Sequence, residues 1–534
     1  MQRPGAKLSP DERRGVVQNR ACPGRRCDGN REGRCEKQEP FTVQSGMPSW
    51  NGWGVTNANT RLQPLAAAGM SAADLPRLKL KWAFGFPDAS SAWAQPAVMG
   101  ERLFIGSQNG TVYSMNAKSG CVYWTFGAQA SVRTAPVIGP RADGSGHTVY
   151  FGDLGGRTYA LDAATGKQLW VRKVEDHPYV RLTGAPVLYQ ERLYVPVASL
   201  EEGMPRDPSY PCCSFRGSVV ALNAKDGSVI WKTYMITQPL KARGKNKAGV
   251  TQYGPSGAAV WSAPTIDAAR KRIYVGTGNG YTGPDQVTND AIVALNMVTG
   301  KIAWVKQLSP KDVAYVDRCA SGPDNPECPE EQGPDFDFGN SPILTKLQSG
   351  KEVIVVGQKS GVGWELDPDR SGAVIWQYKA GVGGSLGGME WGSAVDERNV
   401  YFPVSDIQRT KPGGLHAVSL ATGERGWYAP PPPLMCREPK GCNAALSAAI
   451  TVIPGVIFAG SNDGGLRAFS AKDGAILWEY DTNRSFDTVN KVPAAGASII
   501  GPGPVVVGGM LYVNSGYGAY GGRPGNVLLA FGLD

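Results

Sequence analysis

The chain has 534 residues, a net charge of +9, 42% hydrophobic residues, 70 glycines and 40 prolines. That composition fits a folded, turn-rich protein and excludes a chain that is disordered throughout. No apolar run reaches the length of a membrane span, and no long Lys/Arg run with interleaved aromatics occurs outside the first 40 residues, so nucleic acid is a poor partner and the excess charge reads as a mildly basic surface.

Residues 1–46 are rich in Arg and Gly, carry Cys22, Cys27 and Cys35, and show no apolar periodicity. They read as an irregular leader. The start lacks a basic segment followed by an apolar one, so the sequence as given shows no export signal. From residue 47 to residue 534 one unit recurs. An orphan strand LKLKWAF carrying Trp82 comes first, followed by GTVYSMNAKSGCVYW ending at Trp124 and GRTYALDAATGKQLW ending at Trp170. Further copies end at Trp231, Trp304, Trp376, Trp427 and Trp478, and the last, GNVLLAFGL, stops before its Trp. Each copy alternates in period two, turns at a Gly-bearing loop and closes on an aromatic strand, which is a hairpin that cannot bury its own face. Segments of the type APV plus RLYVG add two strands per copy. Half a unit at each end predicts closure by pairing the termini, giving an all-β, eight-bladed β-propeller in which the eight closing Trp residues pack between blades.

Insertions at 201–215, 236–258, 310–336 and 428–445 exceed what a hairpin needs, and long loops on a rigid ring are where binding groups gather. The first insertion holds the adjacent Cys212 and Cys213, read either as a vicinal disulfide or as two thiols with other fates. Ten cysteines, with the close pairs Cys319/Cys328 and Cys436/Cys442, point to small disulfide loops and an oxidising compartment, taken as the periplasm. Metal binding by these pairs is disfavoured, since no CxxC occurs and the only histidines are His147, His177 and His416.

WNGWG, LKLKWAFGFP, the CC-FRGS segment, GPDFDFGNSPIL, GQKSG and LYVNSGYG together resemble the pyrroloquinoline quinone (PQQ)-dependent alcohol dehydrogenases, and among them the polyvinyl alcohol dehydrogenases. The resemblance runs from about Trp50 to Asp534. It implies oxidation of secondary alcohol groups, polymeric ones included, by metal-assisted hydride transfer to the quinone. The cofactor would be bound by Arg133, Thr183, Cys212, Cys213, Trp261, Lys359 and Trp391. The metal, calcium with a lanthanide as the alternative, would be held by Glu201, with Glu202 one register away, together with Asn279 and Asp335. Asp335 or Asp337 would be the catalytic base, and Lys359 would stabilise the developing oxyanion. Many relatives have Asn where this chain has Glu390, and relatives with a fused cytochrome c module carry CxxCH, which is absent here; CPGRRC at Cys22–Cys27 has no following His, and the early KLSPDERRGV resembles the tail of such a module. The expectation is therefore no haem, and electrons handed to an external acceptor such as a cytochrome c. Two other readings stand beside it: a non-catalytic propeller scaffold of the outer-membrane assembly type, and a PQQ dehydrogenase for a sugar or a small primary alcohol.

Overall fold

The turn that ends each predicted hairpin explains why the unit repeats. In the copy at Arg157–Asp162, the Asp162 carboxylate accepts the Thr165 amide at 2.7 Å, and the chain then reverses at Gly166 with φ of 73°. Only glycine takes that conformation without strain and also lets a neighbour approach so closely: a Cβ on Gly166 would lie 2.7 Å from the Trp124 indole of the preceding blade. Trp124 Nε1 donates to Ala163 O at 3.0 Å, and Trp82, Trp170, Trp376 and Trp427 donate in the same way to the next blade. The repeated Trp and the repeated Gly are thus two halves of one inter-blade joint.

The computed structural model describes residues 33–37, 39–141, 143–313, 333–437 and 441–534. Eight sheets form the ring, and the last is completed by Leu78–Gly85 pairing antiparallel with Val527–Leu533, so the termini close it as predicted. No helix is long and apolar enough to cross a membrane among the described residues. The sequence-predicted Cys436/Cys442 pair is a disulfide, as is Cys212–Cys213. A third bond joins Cys35 to Cys121, fastening residues expected in the leader onto the first blade, where Phe41 also packs against Phe104. Cys319 and Cys328 lie outside the described residues.

One end of the ring is closed by a single segment. Ser49 and Trp50 pair with Met99 and Val98 of the first blade. Asn51 then exchanges hydrogen bonds with Ile138, Asn57 donates to Leu188 O and accepts from Ile266, and Ala58 O accepts from Leu344. Thr60 O accepts from Val395, Arg61 O from Val452, and the Gln63 side chain donates to Val506 O. These partners belong to the innermost strands of all eight blades. The stretch that begins WNGWG is therefore a polar seam across the central channel, and the open end of that channel is left for the site.

Candidate active site

Position within the repeat decides which side chains reach the open end. Four residues before the first residue of the innermost strand, the successive blades carry Trp93, Arg133, Thr183, Trp261, Gly339, Glu390, Ser447 and Gly501. Arg133, Thr183, Trp261 and Glu390 of this series line one cavity, with Lys359, Asp337, Trp391 and Glu202. Arg181, Tyr281 and Tyr520 complete the wall. Sequence reading placed Arg133, Thr183, Trp261, Lys359, Asp337 and Trp391 here; it treated Glu390 only as a departure and missed Arg181, Tyr281 and Tyr520. Aligning the innermost strands would have found Glu390, whereas the other three lie outside the series.

Trp261 forms the floor. Its Nε1 donates to Asp337 Oδ2 at 2.9 Å and its ring meets Trp391 edge-on at 5.3 Å. The FGN motif exists for this ring: a Cβ on Gly339 would come within 1.7 Å of the Trp261 indole. The GTGN motif serves Asp337, whose carboxylate would be 3.0 Å from a Cβ on Gly278 and whose Oδ1 accepts the Asn279 amide at 2.8 Å. Lys359 Nζ donates to Asp335 Oδ1 at 3.0 Å and to Asp337 Oδ2 at 3.3 Å, and stands 5.4 Å above the Trp261 ring. Asp335 is held at φ of 59° by a turn in which Asp312 accepts the Asp335 and Phe336 amides at 3.1 and 2.6 Å.

The electrostatics follow from burial. Desolvation, with Asp337 and Glu202 adding to it, pushes the Asp335 carboxyl well above the usual range against the pull of Lys359. For Lys359 burial would favour the neutral amine, but Asp335, Asp337 and Glu202 outweigh it and keep the ammonium charged. Desolvation raises Glu390 to about 8 and Asp312 to about 6. Asp290 is fully buried nearby and is also pushed up, first by desolvation and then by Asp312.

Five of the expected residues, Glu201, Cys212, Cys213, Asn279 and Asp335, stand outside the cavity lining. Glu201 does not face the cavity. Its carboxylate accepts the Phe215 amide at 2.7 Å, the Ser214 amide at 2.9 Å and the Tyr210 hydroxyl at 2.9 Å, and lies 3.4 Å from His177 Nε2. Burial would raise its pKa, but those partners outweigh it and hold Glu201 below the carboxylate range. Its neighbour Glu202 lines the cavity instead, because the tight turn at Glu201–Arg206 sends consecutive side chains in different directions. Cys212 and Cys213 likewise do not line the cavity. They are fully buried in the cluster that contains Ala198, Ala259 and Tyr281, and so support the cavity wall from behind.

Several buried polar atoms here have no partner: Arg133 Nη2, Glu390 Oε1, Trp391 Nε1, and both amide atoms of Asn279. Arg133 is held in place by aromatic faces, 4.4 Å above Trp391 and 5.5 Å from Tyr517. Leaving such groups unmet costs about 1–3 kcal/mol each, and a bound ligand that met several of them would recover that cost.

Comparison with known proteins points the same way. A family model described as outer membrane protein assembly factor BamB matches residues 70–246, 246–433 and 365–522. The chain is 43% identical over 515 residues to a polyvinylalcohol dehydrogenase of Pseudomonas sp, covering 94% of this chain and 79% of the relative. It is 43% identical to a polyvinylalcohol dehydrogenase of Sphingopyxis sp. (strain 113P3), covering 93% and 78%. In fold it resembles a europium-containing methanol dehydrogenase with a TM-score of 0.65 and 19% identity, covering 91% of this chain and 98% of the other.

Proposed function

The chain belongs to the polyvinyl alcohol dehydrogenase family, and from that premise we propose that it is a PQQ-dependent dehydrogenase of secondary alcohol groups, including those of a polymer. The observation that carries this reading is the set of unpartnered polar atoms around one flat aromatic floor. PQQ is planar and bears carboxylates. Trp261 offers it a surface to stack on, and Arg133 Nη2 offers a carboxylate a donor. Trp391 Nε1 is a second donor, and Thr183 stands beside the floor.

A hard cation suits the other corner of the cavity. Glu202, in place of the predicted Glu201, would bind it together with Asn279 Oδ1 and Asp337, with Asp335 beside them. Three carboxylates against one Lys359 leave two negative charges when all are ionised. Hard oxygen donors of this kind suit calcium, which is proposed as the leading choice with a lanthanide as the alternative. When bound, the quinone supplies a two-electron acceptor for the alcohol's hydrogen, and the cation supplies Lewis acidity.

The chain's own part in the chemistry is to hold and move a proton. Both Asp337 oxygens already accept hydrogen bonds, one from Asn279 and the other from Trp261 and Lys359. Asp335, raised by burial, is therefore assigned as the group that takes the alcohol proton. Lys359 keeps its charge and stabilises negative charge that develops beside it. Ala259, Tyr281 and Leu386 wall the cavity and thin out water around those groups. Electrons would pass to a separate acceptor of the cytochrome c kind, and the disulfides fit a periplasmic site of action.

The test is reconstitution with PQQ and calcium, following dye reduction with polyvinyl alcohol, a small secondary alcohol, a primary alcohol and glucose. Turnover on the secondary alcohols that falls at least hundredfold in Asp335→Asn supports the reading. Turnover confined to glucose or the primary alcohol would move the substrate class. No PQQ binding would leave a non-catalytic propeller, the reading suggested by the description of the matched family model.

A further inference from the structure

The insertion after the third blade projects as a hairpin whose strands, Lys241–Lys245 and Thr251–Gly254, pair antiparallel. Every residue of Lys241–Lys245 is exposed, and so is Lys247 in the turn. No Asp or Glu occurs between Asp226 and Asp267, so Lys241, Arg243, Lys245 and Lys247 form a finger of one sign with no acidic residue in its own segment. A solvated turn needs no such bias, and concentrated charge of one sign costs self-repulsion.

What gives the finger a direction is the anchorage of its base. Tyr253 N donates to Cys212 O at 2.7 Å, Cys213 N donates to Tyr253 O at 3.4 Å, and Thr282 Oγ1 donates to the same carbonyl at 2.7 Å. Asn246 at the tip donates to Pro208 O at 3.0 Å, on the loop that carries the two cysteines. Beyond Tyr253 the chain pairs Gly257 with Gly280, next to the cavity residue Tyr281, and then reaches the wall at Ala259 and the floor at Trp261. Six residues from Tyr253 to Ala259 span at most about 22 Å. The charged finger is thus anchored to the buried layer that backs the wall of the proposed cofactor cavity.

We propose that this hairpin is the docking site for the protein that removes the electrons: a small, acidic, one-electron carrier. This rests on the dehydrogenase reading, in which each alcohol loses a C–H and an O–H bond, gains C=O, and yields two electrons and two protons. Two carrier molecules take one electron each, and the protons go to solvent. A run of exposed cations anchored to the layer that backs the cavity would steer an acidic carrier to that side of the ring.

The test compares the wild type with K241E/R243E/K245E/K247E, both reconstituted with PQQ and calcium, using a c-type cytochrome of net negative charge, a basic cytochrome and an uncharged dye. At low salt the variant is expected to lose at least about tenfold in the second-order rate constant with the acidic cytochrome and to gain with the basic one. The gap should close near 0.5 M salt, where screening shortens to about 4 Å, and dye turnover should be unchanged. An acidic-cytochrome rate within twofold of wild type at low salt overturns the docking site, including when the variant instead loses affinity for anionic vesicles or RNA. If the glutamate set also loses dye turnover, the K241Q/R243Q/K245Q/K247Q set decides by the same twofold criterion. Wild-type protein without dye turnover sinks the dehydrogenase reading itself; dye turnover with an unaltered cytochrome rate sinks only the docking site.

Discussion

The two ends of the central channel are both lined with buried polar side chains, and they treat them in opposite ways. At the closed end Arg61 is fully buried between Trp50 and Trp53, and its guanidinium donates to Ile450 O, Trp53 O, Gln95 Oε1 and Thr451 Oγ1 at 2.6–3.2 Å. Asn51, Asn57 and Gln63 are likewise bonded to backbone carbonyls of the innermost strands, and Asn59 to Pro264 O just before one of them. At the open end Arg133 is nearly as buried and is also wedged among aromatics, yet Nη2 donates to nothing, and Asn279 leaves both side-chain amide atoms unmet. Burial alone does not separate structure from function here. Between these two ends the satisfaction of the buried donors and acceptors does, although unmet atoms also occur away from the cavity, as in Glu365 and Trp231.

The comparison breaks most visibly in the two arginines. Arg61→Ala would strand several buried acceptors at the seam, each at about 1–3 kcal/mol, so a loss of at least about 3 kcal/mol is expected in urea unfolding. Arg133→Ala removes an unmet donor and some ring contacts, so the metal-free, cofactor-free protein should stay within about 1 kcal/mol of wild type. Its PQQ affinity, read by quenching of Trp fluorescence, should instead fall at least about tenfold. Equal stability loss in both variants would mean that the open end is as structural as the seam.

The adjacent glutamates sharpen the same contrast one residue apart. Glu201→Gln turns a carboxylate that accepts two backbone amides into an amide that cannot meet all its donors, and about 1–3 kcal/mol of stability should go with it. Calcium affinity should be nearly untouched. For Glu202→Gln the larger effect is expected on the metal, with calorimetric calcium binding weakened at least about tenfold.

These paired cases also show what the sequence could reveal. The ring was legible because its joint needs a Trp and a left-handed Gly at fixed spacing, repeated until the termini meet. Trp261, Lys359 and Asp337 were legible because each sits in a distinctive short motif, and glycines of neighbouring motifs clear space for two of them, Gly339 for Trp261 and Gly278 for Asp337. Glu201 and Glu202 could not be told apart from the sequence, because a register of one residue in a tight turn is invisible in a linear motif. The seam was recognised only as the start of the ring, since its partners are backbone carbonyls on all eight blades, and no side-chain pattern announces a backbone partner. Arg181, Tyr281 and Tyr520 were missed because they come from strand ends and loops with no shared position in the repeat.

A further contrast lies between two buried acids of similar pKa. Glu365, in the strand Val362–Asp367, and Glu390, in the cavity, are both raised to about 8 by desolvation. An unfolded glutamate titrates near 4.5, so between about pH 4.5 and 8 the folded chain binds more protons than the unfolded one. The stability each contributes is therefore full at low pH and declines as pH rises, by about 1.4 kcal/mol per pH unit for each group while the difference lasts. Glu365→Gln and Glu390→Gln should each flatten the fall in urea-unfolding stability between pH 6 and 8. Only one of them should matter to the cofactor. Glu390 Oε1 is unmet in the cavity, and ionising it beside a ligand that bears carboxylates is unfavourable. PQQ affinity in the wild type should thus weaken above about pH 8, Glu390→Gln should abolish that dependence, and Glu365→Gln should leave it intact. If both variants shift the PQQ profile alike, the pH effect belongs to the fold, and Glu390 must be counted with the seam.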